Sequence, residues 1–298
     1  VKPDAERIAA AALAEDGETD VTTALTVPAG LEGEGRIEYR SGGVVAGAPY
    51  ADAVARACEC RIEWRVPDGR TVPPGSVIGV VRGPLGRILR AERAMLNLLQ
   101  RACGIASATR AYVSAVSGTP CRILHTRKTA PGLRPLDVAA VLSGGGARHR
   151  LDLSHEVMVK DNHWQALRLM GNDLGNALAE ARARGLTALQ VEVESLEQLE
   201  RACAAGATRL LIDNQSPGTV REWARRAKQI RPGIEIEATG GITLENVRAY
   251  AEAGADFVSV GALTHSVAAA DLGIEVGISE APAVRRYFPG GEDAQTDR

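Results

Sequence analysis

The sequence predicts an α/β fold: a parallel α/β barrel of about six strands, left incomplete, behind a smaller N-terminal domain of mixed helix and β structure. Three observations predict it. From residue 121 onward, short apolar runs alternate with helical stretches at a spacing of about 25 residues, as right-handed crossovers between parallel strands require. Before residue 110, apolar and polar residues instead alternate between Gly and Pro punctuation, as in hairpin-rich β structure. The apolar runs are also fewer than the eight strands of a closed barrel, so a gap is expected.

In order along the chain, GRIEYRSGGVVAGA (35–48) and DGRTVPPGSVIGVVRG (68–83) carry the alternating β pattern. The second resembles half of a lipoyl or biotinyl carrier motif, but no lysine lies between residues 3 and 127 to bear a prosthetic group, which excludes that function. From Leu85 to about Ala108, Ala91, Met95, Leu99 and Ala102 recur at helical spacing, and the opposite stripe of Arg93, Asn97 and Arg101 reads as a solvated face. The strand runs are then CRILH (121–125), EVMVK (156–160), ALQVEVE (188–194), RLLID (209–213), IEIEA (234–238) and DFVSVG (256–261). Helical stretches such as SLEQLERACAAG and LENVRAYAEAG lie between them and stop at Gly206 and Gly254, where glycine ends helices naturally. Beyond residue 280 the polar tail is expected to fray.

Composition narrows the function. A net charge of -2 with 3% aromatic residues gives neither a basic field nor stacking platforms, so no nucleic acid partner is expected. No run of eighteen apolar residues occurs and VKPDAERIAA has no apolar signal core, so no membrane is expected and a cytoplasmic location is. The cysteines, Cys58, Cys60, Cys103, Cys121 and Cys203, lack zinc-site spacing and read as reduced packing residues.

The cations are unevenly placed. Of only four lysines, Lys128 and Lys160 fall between His125 and His163, together with four of the five histidines. A mobile ammonium beside planar guanidinium forks suits a small, multiply negative substrate. Chemistry also collects at strand ends, where parallel α/β architectures build active sites. These ends supply Arg127 and Lys128, then Lys160 and Asp161, Glu192 and Glu194, Asp213, Glu237 with Thr239, Gly240 and Gly241, and lastly Gly261. Glu192 and Glu194 alternate with valines, so both are expected to face the barrel interior. Glu192 with Asp213 is a candidate water-mediated Mg²⁺ pair. TGGI (239–242) and VGALTHS (260–266) each follow a strand and are expected to open a helix, offering backbone N–H groups to a phosphate that His265 could contact. SGGG (143–146) is a weaker signal of the same kind or a flexible turn, His149 and Arg150 beyond it join the anion pocket, and His125 and His155 read as structural or surface residues.

Taken in register, ETDVTT, AERAMLNLLQRACGIASAT, TRKTAPGLR, GGGARHR, VKDNH, EVE, LIDN, EATGGI and SVGALTHS resemble the quinolinate phosphoribosyltransferase family over residues 18–272. The resemblance implies an open α/β barrel of about six or seven strands over residues 111–269, with an N-terminal α/β sandwich over 1–110 joined by segment 270–290. It implies phosphoribosyl transfer from phosphoribosyl pyrophosphate to quinolinate with decarboxylation, in NAD synthesis, with Mg²⁺. Catalytic roles are expected for Lys128, Glu192 and Asp213, and metal binding for Glu192 and Asp213. Arg127, Lys128, His149, Arg150 and Lys160 are expected to bind the carboxylates and pyrophosphate, with Arg93 supplied by the neighbouring subunit of a homodimer or of a hexamer of dimers. Glu192 and Asp213 also reach the ribose hydroxyls, and Thr239, Gly240, Gly261 and His265 hold the 5'-phosphate. The sequence departs from the family at His125 for Asp, Val138 and Ala139 for Lys-Tyr, Arg148 for Asn, Asp152 for Gly, His155 for Asp and Thr239 for Ser.

Two other enzymes and a binding module compete with this reading. A fold-sharing paralogue associated with molybdenum transport has similar TRK and GGG elements, but KDNH at 160–163 favours the quinolinate enzyme. A phosphosugar isomerase or aldolase on a similar barrel could use Lys128 or Lys160 as a Schiff base. A pure binding module has no use for a carboxylate pair beside a phosphate loop.

Overall fold

A computed structural model describes residues 2–154 and 156–278, so His155 and the tail beyond residue 280 lie outside the described residues. Helices α1 (Lys2–Glu15) and α2 (Val21–Thr26) precede strand β1 (Glu32–Tyr39), β2 (Gly43–Val44), helix α3 (Ala48–Ala57), β3 (Arg61–Trp64), β4 (Thr71–Val72) and β5 (Ser76–Pro84). Asp20 starts α2 by accepting the Thr23 N–H at 2.9 Å, an ordinary N-cap. The two alternating segments pair with each other: β1 runs antiparallel to β5, and β2 to β4.

Helix α4 (Leu85–Ala115) is the longest element. Its 31 residues extend past the expected end near Ala108 and span roughly 46 Å at 1.5 Å per residue. Met95, Leu99, Ala102 and Ile105 are fully buried along its apolar face. Its opposite stripe divides: Arg93 and Asn97 are exposed, whereas Arg101 turns inward onto Asp137. The solvated-face reading therefore holds for two of its three residues.

The barrel follows as β6 (Arg122–Leu124), α5 (Arg134–Ser143), β7 (Val157–Val159), α6 (Asp161–Leu169), α7 (Leu174–Ala183), β8 (Leu189–Val193), α8 (Leu196–Ala205) and β9 (Arg209–Asp213). It is completed by α9 (Pro217–Ile230), β10 (Glu235–Thr239), α10 (Val247–Glu252), β11 (Phe257–Ser259) and α11 (Ala262–His265). Every expected run is a strand. They form a six-stranded parallel sheet in the order β6-β11-β10-β9-β8-β7. The first strand thus closes onto the last, and the seam stays open between β6 and β7. A single parallel bridge from Leu124 to Ala147 adds a vestigial strand at that seam. All five residues of β8 are buried, as expected of a parallel strand covered on both faces.

Strand β12 (Leu272–Ile278) returns to pair antiparallel with β1, completing a four-stranded sheet in the order β12-β1-β5-β3. The returning chain passes so close to α4 that a Cβ on Gly104 would lie 2.2 Å from the Ala268 carbonyl oxygen. The SGGG segment is the turn that ends α5 and is also a close approach: a Cβ on Gly144 would lie 2.5 Å from the Ala106 carbonyl oxygen. Glycine here seats α5 against α4. Among the described residues, no helix is long and apolar enough to cross a membrane.

Candidate active site

A cleft of about 640 Å³ opens at the carboxyl ends of the barrel strands. The end of β6 contributes Arg127 and Lys128, held by a buried clamp. Asp137, in the first turn of α5 and fully buried, accepts both forks of Arg101 at 2.7 and 2.8 Å and the Ala130 N–H at 3.2 Å. Arg101 also donates to the Thr264 carbonyl at 2.9 Å, and the Thr264 hydroxyl donates to the Lys128 carbonyl at 2.8 Å. One clamp thus fixes both the Arg127–Lys128 loop and α11. The Arg127 Nε is buried and has no hydrogen-bond partner among the described residues, which leaves a donor able to meet an anion.

Across the seam lie His149 and Arg150. The His149 Nδ1 accepts the Arg150 N–H at 2.7 Å, and its Nε2 lies 3.3 Å from Glu237 Oε2. The His149 N–H donates to His125 Nε2 at 3.0 Å. His125 is fully buried, and burial, with the neighbouring His149 and Arg148, keeps its imidazole pKa below the ordinary range. Burial and the neighbouring Arg127 charge likewise lower Arg150, which still stays a cation. Glu237 is also fully buried. Burial raises its carboxyl, but His149, Arg209 and Ser259 outweigh that effect and hold it below the usual carboxylate range.

The opposite wall is acidic. Glu192 is buried and its carboxylate is paired with the Lys160 ammonium. Trp164 Nε1 donates to the Glu192 carbonyl at 2.8 Å and fixes the strand end. Glu194 does not face the interior: β8 ends at Val193, alternation stops there, and Glu194 is exposed. Asp213 at the end of β9 has its carboxyl raised by burial and by the charge of Glu192, partly countered by Lys160 and Asn214. Glu192 and Asp213, two carboxylates lining one wall of a polar cleft, fit a divalent cation. Among the described residues no cluster of three or more His, Cys, Asp or Glu could hold one, so any cation here would need substrate or water oxygens to complete its shell.

Thr239, Gly240 and Gly241 form the next part of the rim. Gly240 has φ +82°, and a Cβ there would lie 2.2 Å from Asn214 Oδ1, so no larger residue fits. TGGI does not open a helix as expected: α10 begins only at Val247, after a turn closed by Thr243 N–H to Asn246 Oδ1 at 2.8 Å. Gly261 and His265 lie behind Lys128, with a Cβ on Gly261 only 3.2 Å from the Lys128 Cδ, and neither lines the cleft directly. Arg93 is exposed on α4 and is not among the residues that line this chain's own cleft. Of the departures from the family pattern, Val138, Ala139 and Arg148 line a separate cavity of about 600 Å³ with Tyr50 and Leu151. Sequence reasoning placed Glu237 among the strand-end residues without a specific role and gave none to Asp137 or Trp164. The one available signal was a lone Asp in the apolar helix PLDVAAVL.

The known proteins this chain resembles agree in both sequence and fold. The quinolinate phosphoribosyl transferase N-terminal domain matches residues 20–103 and the C-terminal domain residues 105–275. Nicotinate-nucleotide pyrophosphorylase [carboxylating] of Mycobacterium leprae is 41% identical over 263 residues, covering 86% of this chain and 91% of that protein. The Homo sapiens protein of the same name is 38% identical over 249 residues, covering 82% of each. The nicotinate-nucleotide pyrophosphorylase structure from Francisella tularensis superposes with a TM-score of 0.86 at 30% identity, over 93% of this chain and 97% of that one. With both domains matched in order, this chain belongs to the quinolinate phosphoribosyl transferase family.

Proposed function

We propose that the cleft transfers phosphoribose from phosphoribosyl pyrophosphate to quinolinate, yielding nicotinate mononucleotide, pyrophosphate and CO2 for NAD biosynthesis. The observation that carries this reading is the convergence of Arg127, Lys128, Arg150 and Lys160 on a cleft whose other wall holds Glu192 and Asp213. Two polyanions need such a cation set, and a reaction that builds positive charge needs the carboxylates.

Arg127, Arg150 and Lys160 grip the two carboxylates of quinolinate, within the frame that His149 supports. Lys128 takes the pyrophosphate. Thr239 and Gly240 receive the 5'-phosphate, backed by Gly261 and His265, and Glu192 and Asp213 meet the ribose hydroxyls. Glu192 and Asp213 would also hold Mg²⁺, which when bound supplies charge neutralisation to the pyrophosphate oxygens. As the bond from the anomeric carbon to pyrophosphate breaks, the carboxylate of Glu192 stabilises the positive charge developing on that carbon. The pyridine nitrogen forms the new bond there and becomes cationic. It then stabilises the electron pair left on the adjacent ring carbon when that carboxylate departs as CO2, and a proton from water fills the position. The protein's task is to orient and desolvate, and no covalent enzyme intermediate is needed.

The exposed Arg93 supports a second copy reaching this cleft, in a homodimer or a hexamer of dimers. Five unpaired, buried cysteines accord with a reducing cytoplasm. The test is direct. Purified chain given both substrates and Mg²⁺ should release nicotinate mononucleotide and CO2 in equal amounts, and nicotinate in place of quinolinate should release no CO2. Absence of product from quinolinate would overturn the assignment.

A further inference from the structure

Glu237 is the least explained group at the site. It lies on β10, two residues before Thr239, and is fully buried. Its Oε2 meets His149 Nε2 and Arg209 Nη1, each at 3.3 Å, while its Oε1 has no hydrogen-bond partner among the described residues. A buried carboxylate only half satisfied costs stability, so its retention needs a reason. Arg209 is itself held, paired with Glu235 at 2.8 Å and stacked 4.1 Å over the Phe257 ring.

The reason lies in what His149 must do. Its Nδ1 accepts the Arg150 N–H, so that nitrogen carries no proton and the ring's single proton sits on Nε2, facing the carboxylate. The His149 N–H in turn donates to His125 Nε2, and His125 Nδ1 faces the Thr126 carbonyl at 3.2 Å. Two imidazoles of defined tautomer therefore bridge the open seam, tying the backbone before Arg127 to the backbone of Arg150. Beyond the single Leu124–Ala147 bridge, no strand ladder among the described residues performs that task between β6 and β7.

We propose that Glu237 is a positioning residue, which fixes His149 as the Nε2–H tautomer and thereby sets Arg150 against Arg127 for the two carboxylates of quinolinate. It lines the cleft, and the role assigned to it here runs through His149. The inference rests on the reading of the cleft given above. An amide at position 237 has the same shape but can donate to Nε2, which releases the other tautomer and sets Nδ1–H against the Arg150 N–H.

Two measurements on the full chain test this. In steady-state kinetics, Glu237→Gln should raise KM for quinolinate about tenfold or more, leave KM for phosphoribosyl pyrophosphate within about twofold, and lower kcat by less than about fivefold. In ¹⁵N-histidine spectra, the His149 ring, assigned with a His149→Asn control, should be a single Nε2–H species in wild type and Glu237→Asp, and mixed in Glu237→Gln. An unchanged quinolinate KM in Glu237→Gln, or a wild-type proton on Nδ1, overturns the proposal. So does equal loss of kcat and both KM values with a lowered melting temperature in Glu237→Gln and Glu237→Asp alike, which marks a purely structural role. If wild type makes no nicotinate mononucleotide yet shows the Nε2–H ring with the mixed Glu237→Gln spectrum, the functional reading falls while the positioning role of Glu237 stands.

Discussion

Lys160 and Lys128, the rare lysines of a chain that otherwise uses arginine, serve different ends at the cleft. The Lys160 ammonium is paired with Glu192, so the buried carboxylate has a partner for its charge. That pairing also engages the Lys160 nitrogen that a Schiff base would use. The Lys128 ammonium is exposed at the mouth, with its backbone pinned through Thr264. Lys128→Ala should therefore lose the pyrophosphate grip while the fold persists, and Glu192→Ala should lose charge stabilisation. Each should lower turnover by at least about 100-fold with circular dichroism unchanged. Near-normal rates in both variants would sink these roles.

At the scale of elements, helix termini and strand ends decide which loops are rigid. Asp137 sits in the first turn of α5, where the helix dipole favours a negative charge, and there it gathers Arg101 and the loop carrying Lys128. Asp137→Ala leaves the Arg101 charge half-buried without its partner. We expect a loss of about 3–5 kcal/mol, seen as a melting temperature lower by on the order of 10 °C, with KM raised for both substrates. A variant as stable as wild type would show the clamp to be dispensable. Much of this level was legible in the sequence. The barrel strands betray themselves because each is a short apolar run between helices, and period alone locates them. The clamp was hidden because its partners lie 36 residues apart, and an Arg on a polar stripe looks the same whether it meets water or a carboxylate. Glu194 was misplaced for a related reason: alternation extrapolates past a strand's end, and nothing in VEVE marks where the ladder stops.

For the whole molecule, Arg93 is exposed and does not line the cleft of its own chain, so activity is expected to depend on association. Arg93→Ala and Lys128→Ala should each be nearly inactive alone. Mixed at equal amounts and allowed to exchange subunits, half of the dimers become hybrids with one intact site, and about a quarter of wild-type activity should return. No recovery, with exchange verified by mass spectrometry, would place each complete site within one chain.

Helix α4 bears on how this protein can change over generations. It carries the exposed Arg93 and the half-buried Arg101 on one uninterrupted rod. A single inserted codon between them would swing one side chain about 100° around the axis relative to the other and shift it by about 1.5 Å. No adjoining loop lies between them to absorb the error. Turns such as those at Gly17 and Gly185, where an added Cβ would meet nothing within 4 Å, carry no such constraint. Lineages of this chain should therefore vary in length at those turns, while the number of residues from 93 to 101 stays fixed.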